Sequence, residues 1–378
     1  MRVLVVNAGS SSLKLRTLDR HDELAASVDL PLARGQIDAA SVRDAVSGMP
    51  APDAVGHRIV HGGERFTSPV RLDPEVESAL RELTDLAPLH QPESLAALDA
   101  VNTALPELPA VACFDTAFHG TLSQAAATYA LPAAWRERFG LRRFGFHGLS
   151  HAYASRRAQE MLSRTDLRVV TCHLGAGASL AAVRDGRSID TTMGFTPLEG
   201  LVMATRSGSV DPGLLLWLLQ REAMTEGEMA DALEHEAGLA GLAGTADMRE
   251  VLAGAEAGKP EAELAVHVYV HRLRASIGAM AATLGGLDAL VFTGGVGERS
   301  PPIRARACQG LDFLGIALDP GRNREATGDA QIGTADAPVA ILVVEAREDL
   351  QIAAEVRRVL NGPEARAPSI RNPPQHKE

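Results

Sequence analysis

Val3-Leu4-Val5-Val6-Asn7-Ala8-Gly9-Ser10-Ser11-Ser12-Leu13-Lys14-Leu15-Arg16-Thr17-Leu18 is the stretch that decides the fold. Val3–Val6 is apolar and rich in β-branched residues, Asn7-Ala8-Gly9 breaks it, and Leu13–Leu18 resumes in alternation, which predicts strand, tight turn, strand. The same order returns later. Val169–Leu174 reads as a strand, His173 stands where Asn7 stood, and Gly175, Gly177 and Ser179 make the turn before Leu180–Val183. Ser188–Thr192 follows across Asp185-Gly186, a strong hairpin signal. Further short strands are expected at Val55–Val60, Ala110–Phe114, Leu290–Thr293 and Ala340–Val344. Helical spacing follows Pro92-Glu93-Ser94 through Leu95, Leu98 and Val101, and returns over 124–139 (interrupted at Pro132), 212–235 and 261–284. The repeated hairpin, each time followed by alternating strands and helices, points to two related α/β domains facing each other across a cleft. Residues 361–378 hold four prolines and no apolar period, and read as a frayed tail.

The size agrees with a duplication. A chain of 378 residues holds two to three domains at about 150 residues each. A formal net charge of −11 argues against nucleic acid held by a general positive field. Cys113, Cys172 and Cys308 are odd in number and far apart, so a disulfide framework is not expected and a cytoplasmic setting is. The apolar run at the N-terminus is too short for a signal peptide core, and no run suits a membrane span.

Asn7–Lys14 concentrates hydroxyls, backbone N–H groups and one ammonium on a Gly/Ser turn, which makes a candidate anion cradle. The familiar nucleotide fingerprints fail. Gly254–Lys259 is one residue short of a Walker A loop and continues into Pro260, so it reads as a surface turn. Gly175-Ala176-Gly177 and Gly295-Val296-Gly297 each lack the third glycine of a dinucleotide motif. Elsewhere, polar groups interrupt apolar runs. Arg58 lies within Gly56–Gly63 and must find an anionic partner if buried. Asp115 lies at a strand end. His147 and His151 are spaced i, i+4, but no Glu follows His147, so a zinc pair is not expected. Arg206 precedes a helix start at Pro212. Arginine forks match phosphate and carboxylate, and a nearby carboxylate suits magnesium or substrate positioning.

NAGSSSLK at 7–14, GHRIVHGG at 56–63, FDTAFH at 114–119, GFHGLSH at 145–151, TPLEGL at 196–201 and TRSG at 205–208 together resemble the acetate kinase family, in the family's order and across essentially the whole chain. The resemblance implies two duplicated domains of the actin, hexokinase and Hsp70 class (ribonuclease H-like): 1–117 with 349–378, and 118–348, the latter carrying the nucleotide site and a homodimer interface. It implies reversible transfer of the ATP γ-phosphoryl group to acetate, giving acetyl phosphate and ADP, with Mg2+ (or Mn2+) and without nucleic acid or membrane. Carried over position by position, Asn7, Ser10, Ser12 and Lys14 would lie on the phosphate turn. Arg58 and Arg206 would hold acetate and then the planar phosphoryl group, His147 would stabilise that transition state, and Asp115 would position substrate or a metal-bound water. His90 and His173 would support them. Val60, Leu89, Phe146 and Pro197 would wall the acyl pocket, with Val60 favouring acetate over propionate. Gly175, Gly177, Asp247, Arg249, Gly295 and Gly297 would meet the nucleotide, and Glu348, with Asn7, the magnesium. The chain departs from the family at Ala176 and Arg299, where Asn is usual, at Ser209-Val210-Asp211 after TRSG, and at AREDL. The first two concern the nucleotide end, so pyrophosphate as donor is an alternative to test, beside a propionate acceptor, which the acyl wall at Val60 decides, and a nucleotide-sensing role.

Overall fold

The computed structural model describes residues 1–9, 12–31, 38–84, 91–221 and 224–362. Contacts divide it into two compact units. One takes in the described residues up to Gly120 and from Arg347 onward, the other Thr121–Ala346.

The first unit is built on β1 (Val3–Ala8), β2 (Ser12–Leu18), β3 (Leu24–Pro31), β4 (Ala54–Ile59), β5 (Val70–Arg71) and β6 (Ala110–Phe114), in the order β3-β2-β1-β4-β6-β5. β1, β4 and β6 run parallel; β2, β3 and β5 pair antiparallel with their neighbours. The second unit is built on β7 (Arg168–Leu174), β8 (Ala178–Arg184), β9 (Arg187–Thr191), β10 (Ala289–Thr293), β11 (Ala330–Gln331) and β12 (Ala340–Val343). Its order, β9-β8-β7-β10-β12-β11, and its strand senses repeat the first sheet strand for strand. The register makes positions equivalent. Val6 lies beside His57 in the first sheet and Cys172 beside Phe292 in the second, so His57 corresponds to Phe292 and Arg58 to Thr293.

Central parallel strands are buried on both faces and read as continuous apolar runs. All five residues of β6 and of β10 are buried. Helix Gln91–Ala104 packs Ala97, Ala100 and Val101 against Leu4, Val6 and Val55. On the strand residue between Val55 and His57, Gly56, an added Cβ would come within 2.5 Å of Ile352 and 2.7 Å of Val356. That glycine lets helix Glu348–Asn361 lie flat on the sheet. In the second unit, helices Gly148–Leu162 and Pro260–Leu284 pack against the sheet. The latter starts with Pro at its first turn and stops at Gly285 in the left-handed conformation. Asp185 and Gly186 both have positive φ, as a two-residue primed turn requires.

Several expectations change. The helical pattern over 212–235 is Pro212–Arg221, then Glu226–Asp231 and a wide turn Ala232–Glu236, because Thr225 starts a new helix with a capping box to Glu228. The stretch 124–139 holds two short helices, Gln124–Ala127 and Ala133–Phe139, flanking the break at Pro132. Asn361, expected in a frayed tail, ends a helix, and residues 363–378 lie outside the described residues. Glu348, expected at the end of the second domain, begins a helix of the first unit.

Candidate active site

In the first unit the polar residues meet where the parallel strands end. Asn7 and Arg58 are the penultimate residues of β1 and β4, and Asp115 follows β6. Ligand sites in open α/β sheets favour this carboxyl edge. Arg58 Nη2 donates to Asp115 Oδ2 at 2.6 Å and Nε to Oδ1 at 3.2 Å, a two-point fork on a carboxylate only 1% exposed. Its Nη1 donates to Asn7 Oδ1 at 3.0 Å. Asn7 Nδ2 in turn donates to Glu348 Oε2 at 3.2 Å, and that oxygen lies 3.8 Å from Arg58 Nε. Burial alone would make the Arg58 guanidinium easier to deprotonate; the charges of Asp115 and Glu348 outweigh it and hold the proton more firmly than usual. The buried Arg58 thus finds the anionic partner its sequence position requires, and a second one besides.

The hairpin turn closes with Gly9 N–H donating to Ser12 C=O at 3.0 Å. Lys14 is exposed directly across from Asn7, on the same face of the pair. Val60 is half-buried just past β4. Ser10, Leu89 and His90 lie outside the described residues.

The second unit gathers His147, His173, Gly177, Arg206 and Pro197. His147 precedes helix Gly148–Leu162 with φ of 55°, a left-handed conformation uncommon outside glycine. Its ring stacks on that of His173 with centroids 4.4 Å apart. An added Cβ at Gly177 would stand 3.1 Å from His147 Nε2 and 3.6 Å from Arg206 Nη1. The imidazole and the guanidinium therefore close on one point of the turn, beside Gly175, whose N–H donates to Gly177 C=O. Arg206 Nη1 donates to Pro197 C=O at 3.0 Å, and Nε lies 3.5 Å from Glu234. Here burial wins over Glu234 and moves the guanidinium pKa below its ordinary value, opposite to Arg58. Arg206, with one carboxylate at 3.5 Å where Arg58 has a two-point fork, is the less neutralised of the two arginines.

Pro197 and Phe146 are both buried. The loop carrying Pro197 is held by groups the motif reading does not single out. Glu199 accepts from Tyr129 Oη at 2.6 Å and from Arg143 Nη2 at 2.8 Å, while Arg143 Nη1 reaches the carbonyls of Thr191, Thr192 and Met193. A Cβ on Gly194 would fall 1.8 Å from Glu199 Oε2, so the loop folds onto this carboxylate. The glutamate inside TPLEGL and the arginine before GFHG were the available signals.

At the proposed nucleotide residues, Gly294–Arg299 forms a short helix straight after β10. Nothing lies within 4 Å of an added Cβ at Gly295, while Gly297 is buried in the helix. Arg304, fully buried, donates to the carbonyls of Gly297 at 2.9 Å and Glu298 at 2.7 Å and to Asn323 Oδ1 at 2.8 Å. Asp247 caps helix Met248–Glu256 and pairs with the exposed Arg249, which lowers its pKa to about 2. Ala176 and Arg299 are exposed. Gly254, expected in a surface turn, is buried in the last turn of helix Met248–Glu256, and the connection to the helix that starts at Pro260 is residues 257–259 alone. Cys113, Cys172 and Cys308 are buried free thiols. Among the described residues no helix is long and apolar enough to cross a membrane, and no three His, Cys, Asp or Glu side chains are grouped to hold a metal.

A profile described as the acetokinase family matches residues 47–354. A protein named acetate kinase from Synechococcus sp. (strain JA-2-3B'a(2-13)) is 46% identical, over 96% of this chain and 100% of its own length. Another, from Leifsonia xyli subsp. xyli, is 47% identical over 93% of this chain and 97% of its own. The crystal structure of Porphyromonas gingivalis acetate kinase superposes with a TM-score of 0.88 at 35% identity, covering 95% of this chain and 99% of that one. A propionate kinase from Francisella tularensis subsp. tularensis superposes with a TM-score of 0.87 at 33% identity, covering 94% and 98%. With these neighbours, the two matching sheets are duplicated α/β domains of the actin and hexokinase class.

Proposed function

The chain belongs to the acetokinase family and is a phosphotransferase, and from that premise we propose that it transfers the γ-phosphoryl group of ATP to acetate, reversibly, giving acetyl phosphate and ADP. The observation that carries the proposal is the pair of differently neutralised arginines. Arg58 is fixed in place by Asp115 and Asn7, and Arg206 is left under-compensated beside His147 and Gly177.

Acetate is ionised near neutral pH, with a pKa close to that of a carboxylic side chain. It needs no general base. The obstacle is bringing one anion to another, so catalysis rests on positioning and charge neutralisation. Arg58, rigid in its fork, would orient the carboxylate. Arg206 and His147 would take the charge of the phosphoryl group in flight. Val60, Phe146 and Pro197, with Leu89, would limit acyl length. Asn7, Ser10, Ser12 and Lys14, with His173, Gly175, Gly177, Gly295 and Gly297, and Asp247 and Arg249 further out, would receive the nucleotide.

The donor set near Glu348 suits magnesium in part. It offers two carboxylates and an amide oxygen, all hard ligands, and Arg58 already engages two of the three. That is too few for an all-protein cage and fits an ion held through one carboxylate with waters and substrate phosphates. Glu348 would hold it, with Asn7 alongside; manganese would substitute. The ion would neutralise phosphate charge.

Leu214, Leu216 and Trp217 are exposed on helix Pro212–Arg221, which supports a homodimer burying this apolar face. The three buried free thiols suit a reducing compartment such as the cytoplasm.

The test is acyl phosphate formation trapped as the hydroxamate, with acetate and propionate, each with ATP and with pyrophosphate, in Mg2+. Product from acetate and ATP at higher kcat/KM than from propionate is expected. Product with pyrophosphate alone would shift the donor and make Ala176 and Arg299 central. No product from any pair would favour a nucleotide sensor.

A further inference from the structure

His147 does not stand alone. Its Nδ1 lies 2.9 Å from Ser179 Oγ, which lies 2.8 Å from His151 Nε2. His151 Nδ1 lies 2.7 Å from Thr171 Oγ1. Ser179, His151 and Thr171 are fully buried, and all belong to the second unit. The chain runs from the core of β7 and β8 to the imidazole facing Gly177.

Proton counting restricts this chain. Ser179 has one hydroxyl proton between two imidazole nitrogens, and can donate to only one. A neutral His151 has one N–H between two hydroxyls. Two orders are consistent. In the first, Thr171 donates to Ala181 C=O, His151 Nδ1–H donates to Thr171, Ser179 donates to His151 Nε2, and His147 Nδ1–H donates to Ser179. A neutral His147 then has only a lone pair at Nε2. In the second, the three bonds to imidazole nitrogens point the other way and the one to Ala181 C=O is given up. Thr171 donates to His151 Nδ1, His151 Nε2–H to Ser179, and Ser179 to His147 Nδ1, so a neutral His147 carries its proton on Nε2. The 2.7 Å contact of Thr171 with His151 is common to both, and the length of the bond to Ala181 favours the second. The bond peculiar to the first order, Thr171 to Ala181 C=O, is 3.4 Å long.

We propose that Thr171, His151 and Ser179 are positioning residues whose hydrogen-bond order holds His147 in the Nε2–H tautomer, so that the neutral ring donates to an anion lodged at Gly177 beside Arg206. The groups facing His147 are the His173 ring stacked on it, Arg206 across Gly177, and His151 through Ser179. His173 Nδ1 has its own partner in Ser150 Oγ at 2.7 Å. With Arg206 this close, a neutral donor brings the anion a hydrogen bond without a second buried cation. The catalytic value of the arrangement rests on the phosphotransfer reading above; the tautomer itself does not.

The experiment is nitrogen NMR of the 15N-histidine-labelled full-length protein, with His147 assigned by His147→Gln. The expected result is a neutral His147 protonated on Nε2 in the parent, turning into a tautomer mixture in Ser179→Ala and in Thr171→Val, with Thr171→Ser restoring the parent spectrum. In parallel, Thr171→Val should lower kcat about ten- to a hundredfold with KM for both substrates within about twofold, and Thr171→Ser should recover it; a wrong tautomer is costly in other enzymes for the same reason. A parent His147 protonated on Nδ1, or a tautomer unmoved by both substitutions, overturns the proposal whatever the activity. The expected tautomers with no phosphotransfer in the parent would leave it standing and sink the reading of the reaction instead. If Ser179→Ala does not fold, Thr171→Val and Thr171→Ser decide alone.

Discussion

The two sheets share strand order and strand sense, yet the equivalent strand ends are finished in opposite chemistries. In the first, Asn7, Arg58, Asp115 and Glu348 form a charged set whose members hydrogen-bond one another. In the second, where Arg58 is replaced by Thr293 and Asn7 by His173, hydroxyls and imidazoles make the hydrogen bonds, and the guanidinium that faces Gly177, Arg206, comes from a loop. Duplication supplied two edges of the same geometry. What distinguishes them is how far each cation is neutralised before any substrate arrives. A self-paired arginine is rigid and already partly discharged; an under-paired one is held by carbonyls and open to a further anion.

That difference should be largest in the arginine variants. Arg58→Ala and Arg206→Ala should each lower kcat by at least about 10²-fold, since an arginine on a transferring phosphoryl group supplies about 10³–10⁵. Their stabilities should separate. Arg58→Ala takes a two-point fork from the buried Asp115 carboxylate, and breaking a buried pair costs about 3–5 kcal/mol, whereas Arg206→Ala gives up a 3.5 Å ion pair, a carbonyl bond and a contact with the Met203 sulfur. Thermal melts should show the larger loss in Arg58→Ala, partly recovered by adding Asp115→Asn. Equal melts for both arginine variants would erase the contrast, and near-parent turnover in both would remove their proposed roles.

Part of this was legible in the sequence. The two Gly/Ser hairpins and the short apolar strands β4, β6 and β10 stand out because buried parallel strands leave unbroken runs. So did the need for an anion beside Arg58, because a charge inside such a run has few alternatives. Helix Gly148–Leu162 did not, since Leu149 is the one large apolar side chain among its buried residues and the rest, Gly148, Ser150, His151, Ala154, Ser155 and Ala158, are too small or polar to make an apolar stripe. β3 escaped because five of its eight positions, Leu24 among them, are exposed, as befits an edge strand. Helix Glu348–Asn361 carried a readable period in Ile352, Ala353 and Val356, and its return to the first sheet is what seats Glu348 beside Asn7. The partners of Arg143 and of His151 are brought by strands and loops distant in sequence, and no local pattern encodes them.

Next in size is acyl selectivity. Val60→Ala removes two methyl groups from the proposed pocket wall, and one methylene is worth about 1–3 kcal/mol. The propionate-to-acetate ratio of kcat/KM should rise about tenfold or more, with acetate turnover nearly kept. An unchanged ratio would take Val60 out of the wall and leave acyl choice to Phe146 and Pro197 in the second unit. Glu199→Gln tests that side. It keeps the acceptor for Tyr129 and removes the charge facing Arg143, a loss of about 1.5–3 kcal/mol for a charge-assisted bond. The loop bearing Pro197 should loosen, raising KM for acetate about five- to tenfold with a smaller change in KM for ATP. A rise confined to ATP would place the Glu199 clamp on the nucleotide side.

The smallest effect on turnover, and the most direct use of the repeat, is at His57. It occupies the position that Phe292 fills in the second sheet, is 1% exposed, and has no hydrogen-bond partner at either ring nitrogen among the described residues. Burial lowers its pKa from 6.5 to about 4. Between those values the unfolded chain binds a proton that the folded chain refuses, so stability falls as pH drops through this window and is unaffected above it. A shift of that size corresponds to at most about 3 kcal/mol. His61, also lowered to about 4 by burial, acts in the same sense, so the acid-side slope of stability is shared. His57→Phe, which imports the solution of the other sheet, should leave activity at neutral pH within about twofold and reduce the loss of melting temperature between pH 6.5 and 4 by roughly half. The parent slope surviving in His57→Phe would mean that the first sheet tolerates a charged ring where the second holds a phenyl, and that the two cores differ as much as the two edges do.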